Sequence, residues 1–195
     1  MNLAPVVLED RFVRLEPFTP ELEIEVRAAL DCDPDAWEIM VGAAWGPHFD
    51  GWWTAALKGL ERGDRIPFAV RRLADGTVVG TTSLYEIRPE HRRCEIGSTF
   101  YRPEARGGPI NPAAKRLLLG HAFEGGAARV EIITDAVNPR SQAAILKLGA
   151  RAEGVLRKHK RTWTGRMRDT AVYSILDEEW PTVRAGLDAR LALFG

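Results

Sequence analysis

Apolar and polar positions divide the chain into short alternating runs and longer runs with helical spacing. Val6 to Leu15 alternates around Phe12, Val13 and Leu15, with Asp10-Arg11 as a turn, and predicts a strand or hairpin. Leu22, Val26, Ala29 and Leu30 fall on one helical face; Thr19 is expected to cap that helix and Pro20 to take its first position. Trp37 to Trp53, rich in Gly, Pro and Trp, reads as a loop, with a short helix starting after Asp50 and running to Leu60. Phe68 to Leu73 and Val78 to Ile87 read as strands joined by the Asp75-Gly76 turn. Arg93 to Tyr101 is a further strand. The stretch 102–111 is rich in Gly and Pro. A helix is expected from Pro112 to Glu124, capped by Asn111. Then come a strand at 130–134, a helix at 139–148, strands at Gly154 to Lys158 and Asp169 to Leu176 around a Thr164-Gly165 turn, and a last helix from Glu178 to Phe194. Hairpins followed by alternating strands and helices imply an α+β arrangement with a mixed sheet, in one domain over residues 1–195.

Composition narrows the classes. Apolar residues make up 45%, so a packed interior is expected. Lys+Arg and Asp+Glu are both 27, and a formal charge of zero does not suggest wholesale binding of nucleic acid or membrane surfaces. The run Arg157-Lys158-His159-Lys160-Arg161 reads as a solvated strand end or as a phosphate contact. Cys32 and Cys94 form no disulfide framework, so reduced thiols and a cytoplasmic location are expected. The four histidines are scattered and no metal site is indicated. No signal peptide or transmembrane segment is expected.

Candidate chemistry concentrates around Asn138-Pro139-Arg140-Ser141. A β-branched strand ends just before it. Asn138 is a good N-cap, Pro139 fits the first helical position, and Gly149 fits the position past the helix end. Asn138 and Ser141 therefore sit together at the mouth of a helix, where uncapped amides converge on whatever lies beyond the strand.

This succession is similar to that of the GNAT superfamily of acetyl-CoA-dependent N-acetyltransferases, and most resembles its ribosomal-protein N-terminal acetyltransferase (RimJ/RimL-like) branch. The resemblance is carried by Glu95-Ile96-Gly97, by Arg106-Gly107-Gly108-Pro109-Ile110-Asn111, by Asn138 with Ser141, and by Lys147-Leu148-Gly149-Ala150, Glu153-Gly154-Val155-Leu156 and Asp169-Thr170. It implies a mixed, V-shaped sheet flanked by helices and splayed between the fourth and fifth strands, with acetyl-CoA in the split. The pyrophosphate would rest on the amides of Gly107, Gly108 and Ile110 beside Asn111, with Arg106 adding charge. A backbone N–H near Phe100 or Tyr101 would polarise the acetyl oxygen.

The resemblance also assigns roles. Glu95, on a strand where it shares a face with Gly97 and Thr99, would take the proton from the amine; an exposed strand Glu is the alternative. Asn138 would bond the pantetheine arm or fix the loop, or serve only as a cap. Ser141 would protonate the departing thiolate, or only top the cap; Tyr173 is a further candidate acid or a core residue. Two departures stand out. Pro109 occupies a glycine position and, like Pro112, has no N–H to donate; Ile145 stands where many members carry the acidic tyrosine. They motivate the rival reading of a catalytically silent acyl-CoA-binding or interaction module. The acceptor pocket would draw on Trp45, His48, Trp52 and Trp53, with Tyr85 and Glu86. The same tryptophans could instead form a small apolar cluster or a homodimer face. The expected partner is an amine, whether a protein N-terminus or a small molecule.

Overall fold

The computed structural model describes residues 1–195. Strands β1 (Leu8–Glu9) and β2 (Val13–Pro17) lead into helices α1 (Glu23–Leu30) and α2 (Phe49–Arg62). Then come β3 (Ile66–Arg72), β4 (Val78–Arg88), β5 (Arg93–Tyr101), α3 (Ile110–Glu124), β6 (Arg129–Asp135), α4 (Pro139–Leu146), β7 (Arg151–Arg161), β8 (Met167–Leu176) and α5 (Trp180–Ala192). The strands form one sheet in the order β1-β2-β3-β4-β5-β6-β8-β7. Of the paired strands only β5 and β6 run parallel, and the helix α3 makes the crossover between them.

The β5–β6 pair is short. It holds from Arg93↔Arg129 to Ile96↔Ile132, although β5 continues to Tyr101 and β6 to Asp135. Beyond Ile96 the two strands part and leave facing edges unpaired. The cause is local. Ser98 has φ 47°, and the β4–β5 register slips between Ser83↔Gly97 and Thr81↔Phe100. Such a bulge bends the strand and exchanges its faces. Ile96 accordingly belongs to one apolar cluster and Phe100 to the other, although an even spacing separates them. Counting the two-residue β1, the V opens between the fifth and sixth strands.

The larger cluster lies between the sheet and α3 and α5, where Leu118, Leu119 and Leu187 meet Leu84, Ile96 and Ile175. Each such side chain contributes about 1.5–3 kcal/mol over an exposed one. The smaller cluster joins α1 and α2 to the opposite face through Val26, Leu30, Phe49 and Trp53. These two helices lean on β3, β4 and β5. On that face β6, β8 and β7 stay bare, and a cleft of about 700 Å³ opens there.

Several element ends differ from expectation. α3 begins at Ile110; Pro109, already helical at φ −74° and ψ −17°, is its cap residue, and Asn111 makes no capping bond. Pro112 therefore sits inside the first turn, where its missing N–H costs nothing. Thr19 makes no side-chain cap either: a 3-10 turn at Pro20–Leu22 precedes α1, which starts at Glu23. α2 starts at Phe49, fed directly by a 3-10 turn at Gly46–His48. β7 is longer than Gly154 to Lys158 and exposed along nearly its whole length.

Candidate active site

Four backbone amides at the start of α3, those of Gly107, Gly108, Ile110 and Asn111, have no backbone partner. Gly107 takes φ 81°, which requires glycine, and a side chain at either glycine would meet nothing within 4 Å. Free N–H donors at a helix start, with open space above them, suit a phosphate group. Arg106 is engaged otherwise. Its Nε donates to the Tyr101 carbonyl at 2.7 Å, its Nη1 is paired with Asp33, and its guanidinium lies 5.3 Å from the centre of the Phe100 ring. Its charge is thus largely answered within the protein.

Asn138 caps α4, its Oδ1 accepting the Ser141 N–H at 3.0 Å. The Ser141 hydroxyl makes no hydrogen bond within the chain and is half-buried. Tyr173 is 4% exposed and its hydroxyl donates to Gln142 Oε1 at 3.0 Å, so it is tied to α4. Ile145 is buried in the core.

Glu95 lines the cleft together with Glu86, Glu131, Glu153 and Lys160. Its carboxylate leans over Gly97: a Cβ there would stand 2.8 Å from Oε1, so the glycine makes the room. Glu131 and Glu153 share Arg129, at 3.0 and 2.5 Å, and Glu86 pairs with Arg88 at 2.6 Å. Glu95 alone of the four has no partner. Burial pushes its carboxyl up to about 7; Glu131 and Glu86 add to the rise, and Lys160 and Arg168 work against it. Its carboxylate is thereby tuned to take a proton near neutral pH.

The aromatic candidates divide into two groups. Tyr85, the register partner of Glu95, and Trp52 both face Arg65, whose guanidinium lies 4.4 and 5.5 Å from their ring centres. Arg65 is buried and also donates to Ser83 and to Ser98 of the bulge, at 3.1 and 3.3 Å. Trp45 and exposed His48 lie elsewhere, 5.8 Å apart. Trp53 is 5% exposed and stacks on Phe18 and Phe49, which makes it core. Three participants escaped sequence reading: Arg65, Trp37 and Trp163. Trp163, in the β7–β8 hairpin, reaches across the split; its Nε1 donates to the Trp37 carbonyl at 2.8 Å, and its ring lies 4.9 Å from His48. Trp37 in turn stacks on Phe100 at 4.6 Å. A large aromatic at a hairpin tip was the available signal for Trp163.

A sheet split beside free helix amides, with an unpartnered carboxylate in the adjoining cleft, is an arrangement that suits acyl transfer. Residues 13–151 match the family model of the acetyltransferase (GNAT) domain, and the chain belongs to that family. It is 30% identical over 123 residues to an uncharacterized N-acetyltransferase, YoaA, of Bacillus subtilis (strain 168), covering 63% of this chain and 67% of that one. A GCN5-related N-acetyltransferase from Brucella melitensis superposes with a TM-score of 0.88 at 31% identity, over 96% of this chain and 86% of that chain. Mycobacterium smegmatis RimJ, in complex with CoA-disulfide, shares the fold at a TM-score of 0.81 and 23% identity, over 95% of each chain. The protein is an acetyltransferase and its reaction is acetyl transfer to an amine. No group of His, Cys, Asp or Glu is arranged to hold a metal ion, and no helix is long and apolar enough to cross a membrane.

Proposed function

We propose that the protein uses acetyl-CoA as acetyl donor, with its diphosphate on the amides of residues 107–111 and its acyl end in the split beyond Ile96. The one observation that carries this reading is the unpartnered Glu95 carboxylate at the cleft that adjoins the split. Acetyl-CoA supplies the activated acyl group. Glu95 accepts the proton of the incoming ammonium, because only a free amine attacks a thioester. Unpaired amides of β5 toward Phe100 and Tyr101 donate to the acyl oxygen as charge gathers there. The free Ser141 hydroxyl returns a proton to sulfur. Tyr85 and Glu86 line the acceptor side; Trp45 and His48 flank it, and Trp52 holds it through Arg65. By fold alone, the RimJ/RimL-like branch is the subgroup we assign. We read residues 1–195 as one domain, supported by the single sheet. A cytoplasmic setting fits two cysteines that stay free. The exposed edge strand β7 is the surface we assign to a second copy.

The test is calorimetry with acetyl-CoA together with thiol release against a panel of amines, for wild type and Glu95→Gln. The proposal expects binding in both and rapid release only in wild type. Tight binding without release in either makes the protein a silent acyl-CoA module, the reading that Ile145 favours. No binding removes both.

A further inference from the structure

Resting on that reading, we infer that Arg168 binds a carboxylate of the acceptor, so that the acceptor is a free amino acid held by both of its ends. Arg168 is 7% exposed on β8, and only its Nε has a partner, Thr170 Oγ1 at 3.1 Å. Its Nη2 is buried with no acceptor, and the residue forms no ion pair. The carboxylate that acts on it most, Asp135, is already committed. One oxygen takes the Val137 N–H at 3.1 Å and the other is paired with Arg166.

The ladder fixes the direction of the side chain. Arg168 faces Lys160 in the β7–β8 register, so the two project from the same face, and Lys160 lines the Glu95 cleft. Val172, four residues along β8, lines it too. Trp37 and Trp45, on the wall met by the Trp163 hairpin, also bury indole N–H groups without acceptors.

A desolvated guanidinium without a counter-charge is costly, and a planar carboxylate matches its fork in shape and charge. In an amino acid the carboxylate lies two bonds from the amine. Arg168 would hold the one while Glu95 takes the proton of the other. A diamine offers Arg168 nothing. A peptide N-terminus offers a neutral carbonyl and leaves the charge unanswered.

The test compares kcat/KM for the twenty amino acids, their amides and putrescine in wild type, Arg168→Met and Arg168→Lys. At least one amino acid is acetylated, about tenfold or more better than its own amide. At a pH well above 7, where Glu95 is deprotonated with or without the neighbouring guanidinium, Arg168→Met lowers that value roughly 10- to 100-fold, mostly through KM, and lowers the values for the amide and putrescine far less. Arg168→Lys recovers part of the loss. Arg168→Met melts no lower than wild type, since it removes an unpaired buried charge. Amides or putrescine used as well as amino acids overturn the inference, as does an equal loss on every acceptor or a Met variant that unfolds. Failure of wild type to bind acetyl-CoA in calorimetry instead overturns the acetyl-transfer reading beneath it.

Discussion

Glu95 behaves oppositely in catalysis and in stability. In the proposed mechanism it works as a base, deprotonated, so kcat/KM should rise with pH through about 7 and then level. Glu95→Gln removes that limb and lowers the rate by about 10²–10⁴. In folding, the native state holds the proton more tightly than the unfolded chain, whose value is near 4.5. Stability is therefore full below that value and is lost as pH rises to about 7. Glu95→Gln should be more stable than wild type at about pH 8, by on the order of 2 kcal/mol, and equal to it at about pH 4; thermal melts at the two pH values check this. Lys115 is the mirror case. It is 5% exposed, with Nζ 2.7 Å from Thr99 Oγ1 and 3.2 Å from Thr82 Oγ1 and no carboxylate beside it; burial lowers it to about 7. The folded state disfavours the ammonium, so stability grows as pH climbs from about 7 towards 10.5. Lys115→Met should flatten that slope and raise the melting temperature at about pH 6. Of the two, Glu95 was legible, since strand alternation sets it beside Gly97. Lys115 was not: nothing in local spacing says that the turn bearing it is pressed onto β4 and β5.

At the scale of elements, the bulge at Ser98 decides where the sheet opens. A β-branched residue fits φ 47° poorly, so Ser98→Val should cost about 1–3 kcal/mol in urea melts and weaken acetyl-CoA binding in calorimetry. Ser98→Gly relieves the backbone but gives up the Arg65 contact, and should stay near wild type. Strand and helix order could be read from periodicity because most elements bury one face. The bulge was not read, although an isolated glycine inside the strand, Gly97, stands directly before it and is the usual mark of one. The start of α3 was misjudged for a related reason. Asn111-Pro112 imitates a capped beginning, but Pro109 already has helical angles and the helix forms two residues earlier. β7 was drawn short because neither of its faces is buried, so it carries no alternation.

Across the whole molecule, the two arms of the sheet meet again through Trp163 and Trp37. Trp163→Ala removes that hydrogen bond, worth about 1 kcal/mol, and the contact with His48. The acceptor KM should rise about fivefold in steady-state kinetics, while the affinity for acetyl-CoA in calorimetry holds. The family was recognisable from the order of its motifs, which lie on elements that periodicity locates. The bridge across the split was not, because Trp37 and Trp163 lie 126 positions apart and only the closed fold joins them.

Past Ile96 and Ile132, β5 and β6 present two raw rims of peptide groups to each other. Exposed rims of this kind recruit any extended chain that drifts by, including another copy of the same protein. An occupant in the gap would deny them to intruders. Solutions of the empty protein should therefore turn cloudy sooner on gentle warming than solutions given excess CoA, and light scattering would record the delay. In a cell short of thioester, the same molecule would lose more of itself to clumping, tying its abundance to the supply of its own donor.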